Sequence, residues 1–147
     1  MSFTDKIFIN LPVTDLARAT AFYEGIGGVK NPMFSDEKAS CIVLSDSIHV
    51  MLLTRDFFQT FAPGRTIVDP QAMVSAAYAF VVESRAAADA LVERAPALGG
   101  VADINPAQDH GFMYSRSMAD PDGHIWEPFW MDPAAAANGP QAVETAA

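Results

Sequence analysis

Cysteine and basic residues are scarce in this sequence of 147 residues, and long apolar runs are absent. The one cysteine, Cys41, lies in the apolar stretch 39–44, and a single thiol supports neither a disulfide framework nor a cysteine-rich zinc site. No apolar run approaches the roughly 20 residues that a membrane-spanning helix needs. The first residues also lack the basic and apolar pattern of a secretion signal. We therefore expect a cytoplasmic chain that does not associate with membranes.

The scarcity of basic residues limits the classes of partner. Nine Lys and Arg residues stand against 18 Asp and Glu residues, so the formal net charge is −9. This charge opposes binding to the phosphate backbone of nucleic acids and favours neutral or cationic small ligands. A Gly-rich phosphate loop, paired catalytic carboxylates and a Cys–His nucleophile pair are missing from the sequence. Half of the residues are hydrophobic, which indicates a globular chain with a sizeable core.

The first half of the chain begins with a strand and a helix. Residues 6–13 alternate between an apolar and a mixed face, as a half-buried strand does. Thr14 or Asp15 can then cap a helix that has apolar residues at helical spacing and ends at Gly27 and Gly28. Three short segments follow that favour strands, namely NPMFSDE, SCIVLSD and SIHVMLLT. The order of elements is therefore βαβββ.

The same order returns in the second half. AAYAFVV predicts a strand, Ser84 caps a helix, and a Gly-Gly-Val sequence ends that helix as it ended the first. Further strand candidates are VADIN, GFMYSRSM and HIWEPFW. The repeat predicts an α+β fold in which two tandem βαβββ modules, at about 5–54 and 75–131, form curved mixed sheets around a shared concavity. Together they make a single domain over 1–131, and 132–147 are expected to form a flexible tail.

Two segments resemble those of the vicinal oxygen chelate superfamily. NLPVTDLARATAFYEGIGG is similar to the opening strand and helix of that superfamily, and SMADPDGHIWEPF is similar to its closing DPDG-x-x-x-E strand. The likeness covers roughly residues 5–131. The superfamily includes glyoxalase I, extradiol dioxygenases, and fosfomycin- and bleomycin-resistance proteins. The resemblance implies the fold described above, a small-molecule substrate or ligand, and a homodimer.

The resemblance also bears on a metal cofactor. Metal-using relatives place one ligand in the first and one in the last strand of each module. In this sequence the four positions are Phe8, Met51, Ala77 and Glu127. Phe and Ala cannot bind a metal and Met is a soft ligand, so we expect no metal cofactor of the family's usual kind. A shifted register leaves an alternative, in which Asn10, His49 and Glu127 converge and a divalent metal is held by Glu127 with His49.

Glu127 is the residue that we expect to be catalytic. A carboxylate in an apolar strand is costly unless it is neutralised or finds donors, for which Asn10, His49, Tyr114 and Arg116 are the candidates. A desolvated Glu can serve as a general base near neutral pH. The structural alternative is a salt bridge or hydrogen bond to a neighbouring strand. The expected ligand pocket consists of Phe8, Asn10, His49, Met51, Ala77, Phe112 and Tyr114.

Two functions follow from this sequence and its resemblance. The first is a glyoxalase-related enzyme of the lyase or isomerase type, in which Glu127 moves a proton on a small carbonyl or hydroxy compound without requiring a metal. The second is a protein like the bleomycin-resistance proteins, which holds a cationic or aromatic small molecule without catalysis. Polar groups that converge on Glu127 would favour the enzyme, and an aromatic groove would favour the binding protein. Of these two functions, we expect the enzyme.

Overall fold

The computed structural model describes residues 2–141, and the chain divides into two compact units, Met1–Ser75 and Ala76–Ala147. Each unit contains a mixed β-sheet and a ten-residue helix that packs on it. The predicted α+β class, with two tandem modules that each begin with a βα unit, is confirmed. No helix in the described range is long and apolar enough to span a membrane.

The first unit has the βαβββ order that the sequence predicts. Its elements are β1 (Ile7–Val13), α1 (Leu16–Gly25), β2 (Val29–Asn31), β3 (Ala39–Val43), β4 (Ile48–Thr54) and α2 (Arg55–Gln59). The strands lie in the order β1-β4-β3-β2. The first and last strands, β1 and β4, pair in parallel, and the other neighbours are antiparallel.

Helix α1 covers one face of this sheet. The Asp15 side chain caps the helix by accepting a hydrogen bond from the backbone N–H of Arg18 at 3.1 Å. Phe22 and Tyr23 are fully buried, and so are the sheet residues on the same side, such as Leu11, Val13, Val50, Leu52 and Ile42. Strand alternation places the remaining side chains of β1 and β4 on the opposite, open face.

One predicted strand of this unit is wrong in its position. The segment NPMFSDE was expected to form a strand, but the strand β2 ends at Asn31, where that segment begins, and Pro32–Phe34 form a 3₁₀ turn. The Asn31 side chain accepts a hydrogen bond from the backbone N–H of Met33 at 3.1 Å, and Pro32 takes the first position of the turn. This local capping arrangement competes with strand formation.

The second unit has more and shorter strands. Its elements are β5 (Ala77–Val81), α3 (Arg85–Arg94), β6 (Val101–Ala102), β7 (Gln108–Asp109), β8 (Met113–Ser115), β9 (Met118–Ala119), β10 (Ile125–Met131) and α4 (Pro133–Asn138). Strand β10 is central, because it pairs in parallel with β5 and antiparallel with both β8 and β9. The single strand expected for GFMYSRSM is thus divided into β8 and β9, and β7 is an additional strand.

Helix α3 covers one face of the second sheet. Ser84 caps it as predicted, with its side-chain oxygen 3.0 Å from the backbone nitrogen of Ala87. On the covered side Trp126 is only 2% exposed and contacts Tyr78, at 5.0 Å between ring centroids. Trp126 is therefore buried within a single chain.

The segment after β10 does not form a flexible tail throughout. Pro133–Asn138 form the helix α4, capped by the Asp132 side chain, which accepts from the backbone N–H of Ala134 at 2.8 Å. Ala135 is buried, so the helix packs against the rest of the unit. The prediction of a flexible tail is wrong for these residues, because a capping Asp and a Pro at the first helical position start a helix of good helix formers. Residues 142–147 lie outside the described range.

Candidate functional site

Glu127 lies in the middle of β10, on the face opposite α3. Its neighbours in sequence, Trp126 and Pro128, are buried on the helix side, and alternation turns Glu127 to the open side. Its partner on β5 is Ala79, and Ile125 and Phe129 flank it along β10. The carboxylate is half-buried between the apolar side chains of Ile125 and Phe129, and Ser115 lies on the same face opposite Phe129.

The Glu127 carboxylate has no hydrogen-bond or ion-pair partner among residues 2–141, although it is half-buried. A carboxylate with little solvent and no donors loses part of its hydration without replacement. Ala77 and Val81 lie on the same face, and both are exposed. This part of the sheet is therefore an open apolar surface with one ionisable group at its centre.

Tyr114 and Arg116 do not donate to Glu127, and that prediction is wrong. Tyr114 pairs with Trp130, which places it on the helix-covered side, and its hydroxyl donates to Asp89 on α3 at 2.6 Å. This hydrogen bond raises the pKa of Tyr114 and lowers the pKa of Asp89. Tyr114 therefore belongs to the contact between sheet and helix rather than to the open-face pocket.

Arg116 is the centre of an ion-pair network on the same helix-covered side. Its guanidinium donates to both carboxylate oxygens of Asp103, at 3.1 and 2.7 Å, and to Asp89 at 3.0 Å. The hydrogen bonds to Asp103 are the largest cause of a raised Arg116 pKa. With an 11% exposed side chain, Arg116 holds α3 and the loop after β6 against the sheet.

Phe112 lies in the hairpin between β7 and β8, where its ring stacks on His110 at 6.1 Å. Arg85, in the first turn of α3, attaches this hairpin by an ion pair to Asp109 at 2.8 Å and a hydrogen bond to the carbonyl oxygen of Gly111 at 2.9 Å. The pattern reasoning missed Arg85, because nothing in the spacing of the sequence indicates its partners 24 and 26 residues away.

The open face of the first sheet carries four of the predicted pocket residues. Phe8 pairs with His49, and Asn10 pairs with Met51, so the four side chains share the face opposite α1. The rings of Phe8 and His49 stack with 4.4 Å between centroids and 15° between planes. The Nδ1 atom of His49 is buried and has no hydrogen-bond partner in the described part of the chain.

The two units repeat the pairing that relates the family's ligand positions. In the first unit Met51 pairs with the residue two places after Phe8, and in the second Glu127 pairs with the residue two places after Ala77. Only Glu127 among these four offers a ligand that divalent cations of this family prefer. The described residues contain no group of three or more His, Cys, Asp or Glu side chains that could hold a metal ion. The residues at the four family positions thus do not fit the family's usual divalent metal.

The turn before β10 fixes the start of the strand that carries Glu127. The Oδ1 atom of Asp120 accepts hydrogen bonds from the backbone N–H groups of Asp122, Gly123 and His124, at 2.9 to 3.0 Å. Gly123 has a φ of +104°, a conformation that favours glycine. Asp120 itself is 2% exposed. A buried carboxylate therefore organises the turn that sets the register of β10.

A surface cavity of about 770 Å³ lies elsewhere in the first unit, around α2 and the loop that follows it. Its lining includes Arg55, Gln59, Arg65 and Thr66. The Gln59 side chain donates to the carbonyl oxygens of Ala62 and Arg65, which shapes the loop. The cavity includes none of the predicted site residues, and we place the candidate site on the open sheet faces because Glu127 and His49 lie there.

The repeated module, in which the first and last strands pair in parallel and the second copy closes with a DPDG-x-x-x-E strand, defines a class of proteins built from two βα-containing units. The chain belongs to the Glyoxalase/Bleomycin resistance protein/Dioxygenase superfamily, whose family model matches residues 7–127. The resemblance deduced from the sequence is thereby confirmed.

Solved structures of similar fold support this assignment. A glyoxalase-related enzyme from Fulvimarina pelagi is 26% identical, with a TM-score of 0.72 over 91% of each chain. The hypothetical protein SA1046 from S. aureus is 21% identical, with a TM-score of 0.70 over 88% of this chain and 95% of that one. The fosfomycin resistance protein FosX from Mesorhizobium loti is 19% identical, with a TM-score of 0.62 over 89% and 95%. Comparison with curated proteins finds no significant relative.

Proposed function

We propose that this protein binds a small organic molecule on the open face of the second sheet, and that the Glu127 carboxylate recognises it. The observation that carries the proposal is the half-buried carboxylate without a partner among the described residues. A bound ligand with a suitable donor supplies the hydrogen bond that the protein itself does not.

The chemistry of the face indicates the ligand class. Ala79, Ile125 and Phe129 lie beside the carboxylate, so an apolar body next to a donor group fits. The net charge of −9 favours a cationic donor such as an ammonium group over an anionic ligand. A hydrogen bond to a charged group contributes about 1.5–3 kcal/mol, which corresponds to roughly 10- to 150-fold in affinity.

Titration with benzylammonium, followed by backbone amide NMR shifts, tests this proposal. We expect shifts in 77–81 and 125–129, and weaker shifts with the neutral analogue benzyl alcohol. Glu127→Gln should weaken benzylammonium binding by about tenfold or more. Glu83→Gln is the matched control, because Glu83 is exposed and lies in the same unit. Equal binding to both variants, or shifts confined to other residues, would contradict the proposal.

An enzyme is the second candidate function, and the same carboxylate supports it. A carboxylate without donors is a free proton acceptor, as a general base requires. The relative from Fulvimarina pelagi, described as a glyoxalase-related enzyme, is similar over most of the chain. In this case Glu127 would remove a proton next to the carbonyl group of a small substrate. Return of that proton to a different carbon of the substrate would be an isomerase reaction, and departure of a leaving group from the neighbouring carbon would be a lyase reaction.

Proton exchange distinguishes the two candidates. Loss of the α-proton signals of hydroxyacetone in D₂O reports proton removal directly, without requiring a full reaction. An enzyme should accelerate this exchange, and Glu127→Gln should reduce the acceleration by about 10²-fold or more. A binding protein leaves the exchange rate at its buffer value while it still binds benzylammonium.

A homodimer is part of the proposal as well. Exposed apolar side chains at the edge of the first sheet, Val29, Met33 and Phe34, support self-association, since large exposed apolar groups close together often mark contact surfaces. Light scattering coupled to size-exclusion chromatography measures the mass. A mass near twice 15.8 kDa is expected, and a mass of one chain at all concentrations would refute it.

A further inference from the structure

We propose that His49 presents an Nε2–H donor on the open face of the first sheet, where with Phe8 it binds a flat small molecule through a neutral carbonyl oxygen. This site lies on the other sheet from Glu127 and goes beyond the function proposed above. It does not depend on the Glu127 carboxylate.

The two ring nitrogens of His49 have different surroundings. Nδ1 is buried and has no hydrogen-bond partner, whereas Nε2 is not among the buried unpartnered atoms of the described residues and is therefore open to solvent. The cross-strand neighbours of His49 are Phe8 on β1 and Val43 on β3, both apolar. On this face, the neighbours across the sheet thus offer Nδ1 no oxygen acceptor.

This asymmetry selects one tautomer of the neutral ring. A neutral imidazole carries one N–H donor and one bare nitrogen acceptor. If Nδ1 carried the proton, a buried N–H would have no acceptor, which is less favourable than a buried bare nitrogen. If Nε2 carries it, the solvent-exposed N–H can donate to water. The proton therefore resides on Nε2. If the missing hydrogen bond has its usual cost, the Nε2–H tautomer is more populated than the Nδ1–H tautomer by a factor of roughly five to a hundred.

Phe8 supplies the second half of the site. Its side chain is 54% exposed, and its ring lies nearly parallel to the imidazole at 4.4 Å. A flat apolar molecule can cover exposed Phe8 surface while an oxygen of the same molecule accepts a hydrogen bond from Nε2. The acidity of the chain disfavours a carboxylate in this position, so a neutral carbonyl group is the fitting acceptor.

The tautomer is measured on the full wild-type chain without a ligand. Long-range ¹H–¹⁵N correlation spectra of uniformly labelled protein, at a pH where the imidazoles are neutral, distinguish a bare from a protonated ring nitrogen. The chain has three histidines, and the spectrum of His49→Gln identifies the signals of His49 by their loss. We expect a bare Nδ1 and a protonated Nε2. A proton on Nδ1, or an equal mixture, overturns the proposal.

The binding site is tested with acetophenone, a flat ring with a neutral carbonyl oxygen. We expect it to shift the amide signals of β1 and β4 and the Nε2–H signal. A Gln side chain places its amide nitrogen near the position of Nε2, whereas an Asn side chain reaches only that of Nδ1. His49→Gln should therefore bind within about threefold of the wild type, and His49→Asn should bind roughly five- to tenfold more weakly.

The controls separate this site from the function proposed above. Glu127→Gln should change neither the His49 tautomer nor acetophenone binding, and failure of benzylammonium to bind leaves both results standing. Backbone amide spectra establish that the His49 variants are folded. The site is refuted if His49→Asn retains acetophenone binding while His49→Gln loses it. It is also refuted if acetophenone shifts no amide signals of β1 and β4.

Discussion

Replacement of Asp120 by Ala should strongly destabilise the second unit, because one carboxylate oxygen serves three backbone donors. The N–H groups of Asp122, Gly123 and His124 all donate to Oδ1 of Asp120 within 3.0 Å. Removal of the carboxylate leaves these donors without their acceptor in a buried turn. A lost helix cap costs about 1–2 kcal/mol, and buried donors without partners cost about 1–3 kcal/mol each. Since the three losses are not additive, we expect about 3–5 kcal/mol for Asp120→Ala.

Asp120→Asn is the matched variant, because its amide oxygen can still accept all three hydrogen bonds. Hydrogen bonds to a charged acceptor are roughly twice as strong as neutral ones. The Asn variant should therefore lose about 1–2 kcal/mol, clearly less than the Ala variant.

Urea unfolding followed by tryptophan fluorescence measures both values. The two tryptophans of the chain, Trp126 and Trp130, both lie in β10, so the signal reports the second unit specifically. A loss below about 1 kcal/mol for the Ala variant would refute the reasoning, since it is no more than a typical surface change. Equal losses for the Ala and Asn variants would show that the charge, and not the three hydrogen bonds, holds the turn.

Three further perturbations test other parts of the structure. Gly28→Ala should cost about 2–3 kcal/mol in urea unfolding followed by circular dichroism, because its new Cβ would lie 2.8 Å from the carbonyl oxygen of Tyr23. In Gly27→Ala the new Cβ meets no atom of the described residues within 4 Å, so this variant should cost about 1–2 kcal/mol for its positive φ alone. Arg116→Lys keeps the charge but loses the bidentate contact with the Asp103 carboxylate, so the urea midpoint of unfolding followed by tryptophan fluorescence should fall. An unchanged midpoint would contradict a stabilising role for the ion-pair network. The hydrogen bond from Tyr114 lowers the pKa of Asp89 in the folded protein. The stabilisation that this hydrogen bond gives is therefore present above the ordinary Asp pKa of about 3.9 and is lost as pH falls below that value. Unfolding midpoints of wild type and Asp89→Asn should therefore converge in acid, and parallel pH profiles would contradict this.

The order of elements in the first unit and the starts of α1 and α3 could be predicted because local signals decide them. Asp15 and Ser84 each cap a helix by accepting a hydrogen bond from the backbone N–H three residues later, so neither cap depends on a distant part of the chain. The segment after Asn31 was harder, since a side-chain cap outweighed a strand-like composition. A second capping residue, Asp132, likewise started a helix where low sequence complexity had indicated a flexible tail.

The side-chain partners of the site could be predicted only in part, because alternation fixes which residues share a face but not which face meets the helix. Tyr114 and Arg116 were among the candidate donors to Glu127. The register of β8 on β10, with Phe129 opposite Ser115, turns both side chains towards α3. A shift of one residue would have turned them to the face that carries Glu127. The partner of Tyr114 is Asp89, which lies 25 residues away and follows no short-range pattern.

In both units the first strand pairs with the last one, and this has a consequence during synthesis on the ribosome. The first sheet has all its strands once Thr54 has been made, but β5 must wait for β10, which ends at Met131. At about 5–20 residues per second, the 50 residues from the end of β5 at Val81 to Met131 take roughly 2.5–10 seconds. During that interval the nascent chain carries an unpaired β5 beside an early-formed module. Translational pauses late in the message would prolong this state, and chaperones would act on it there.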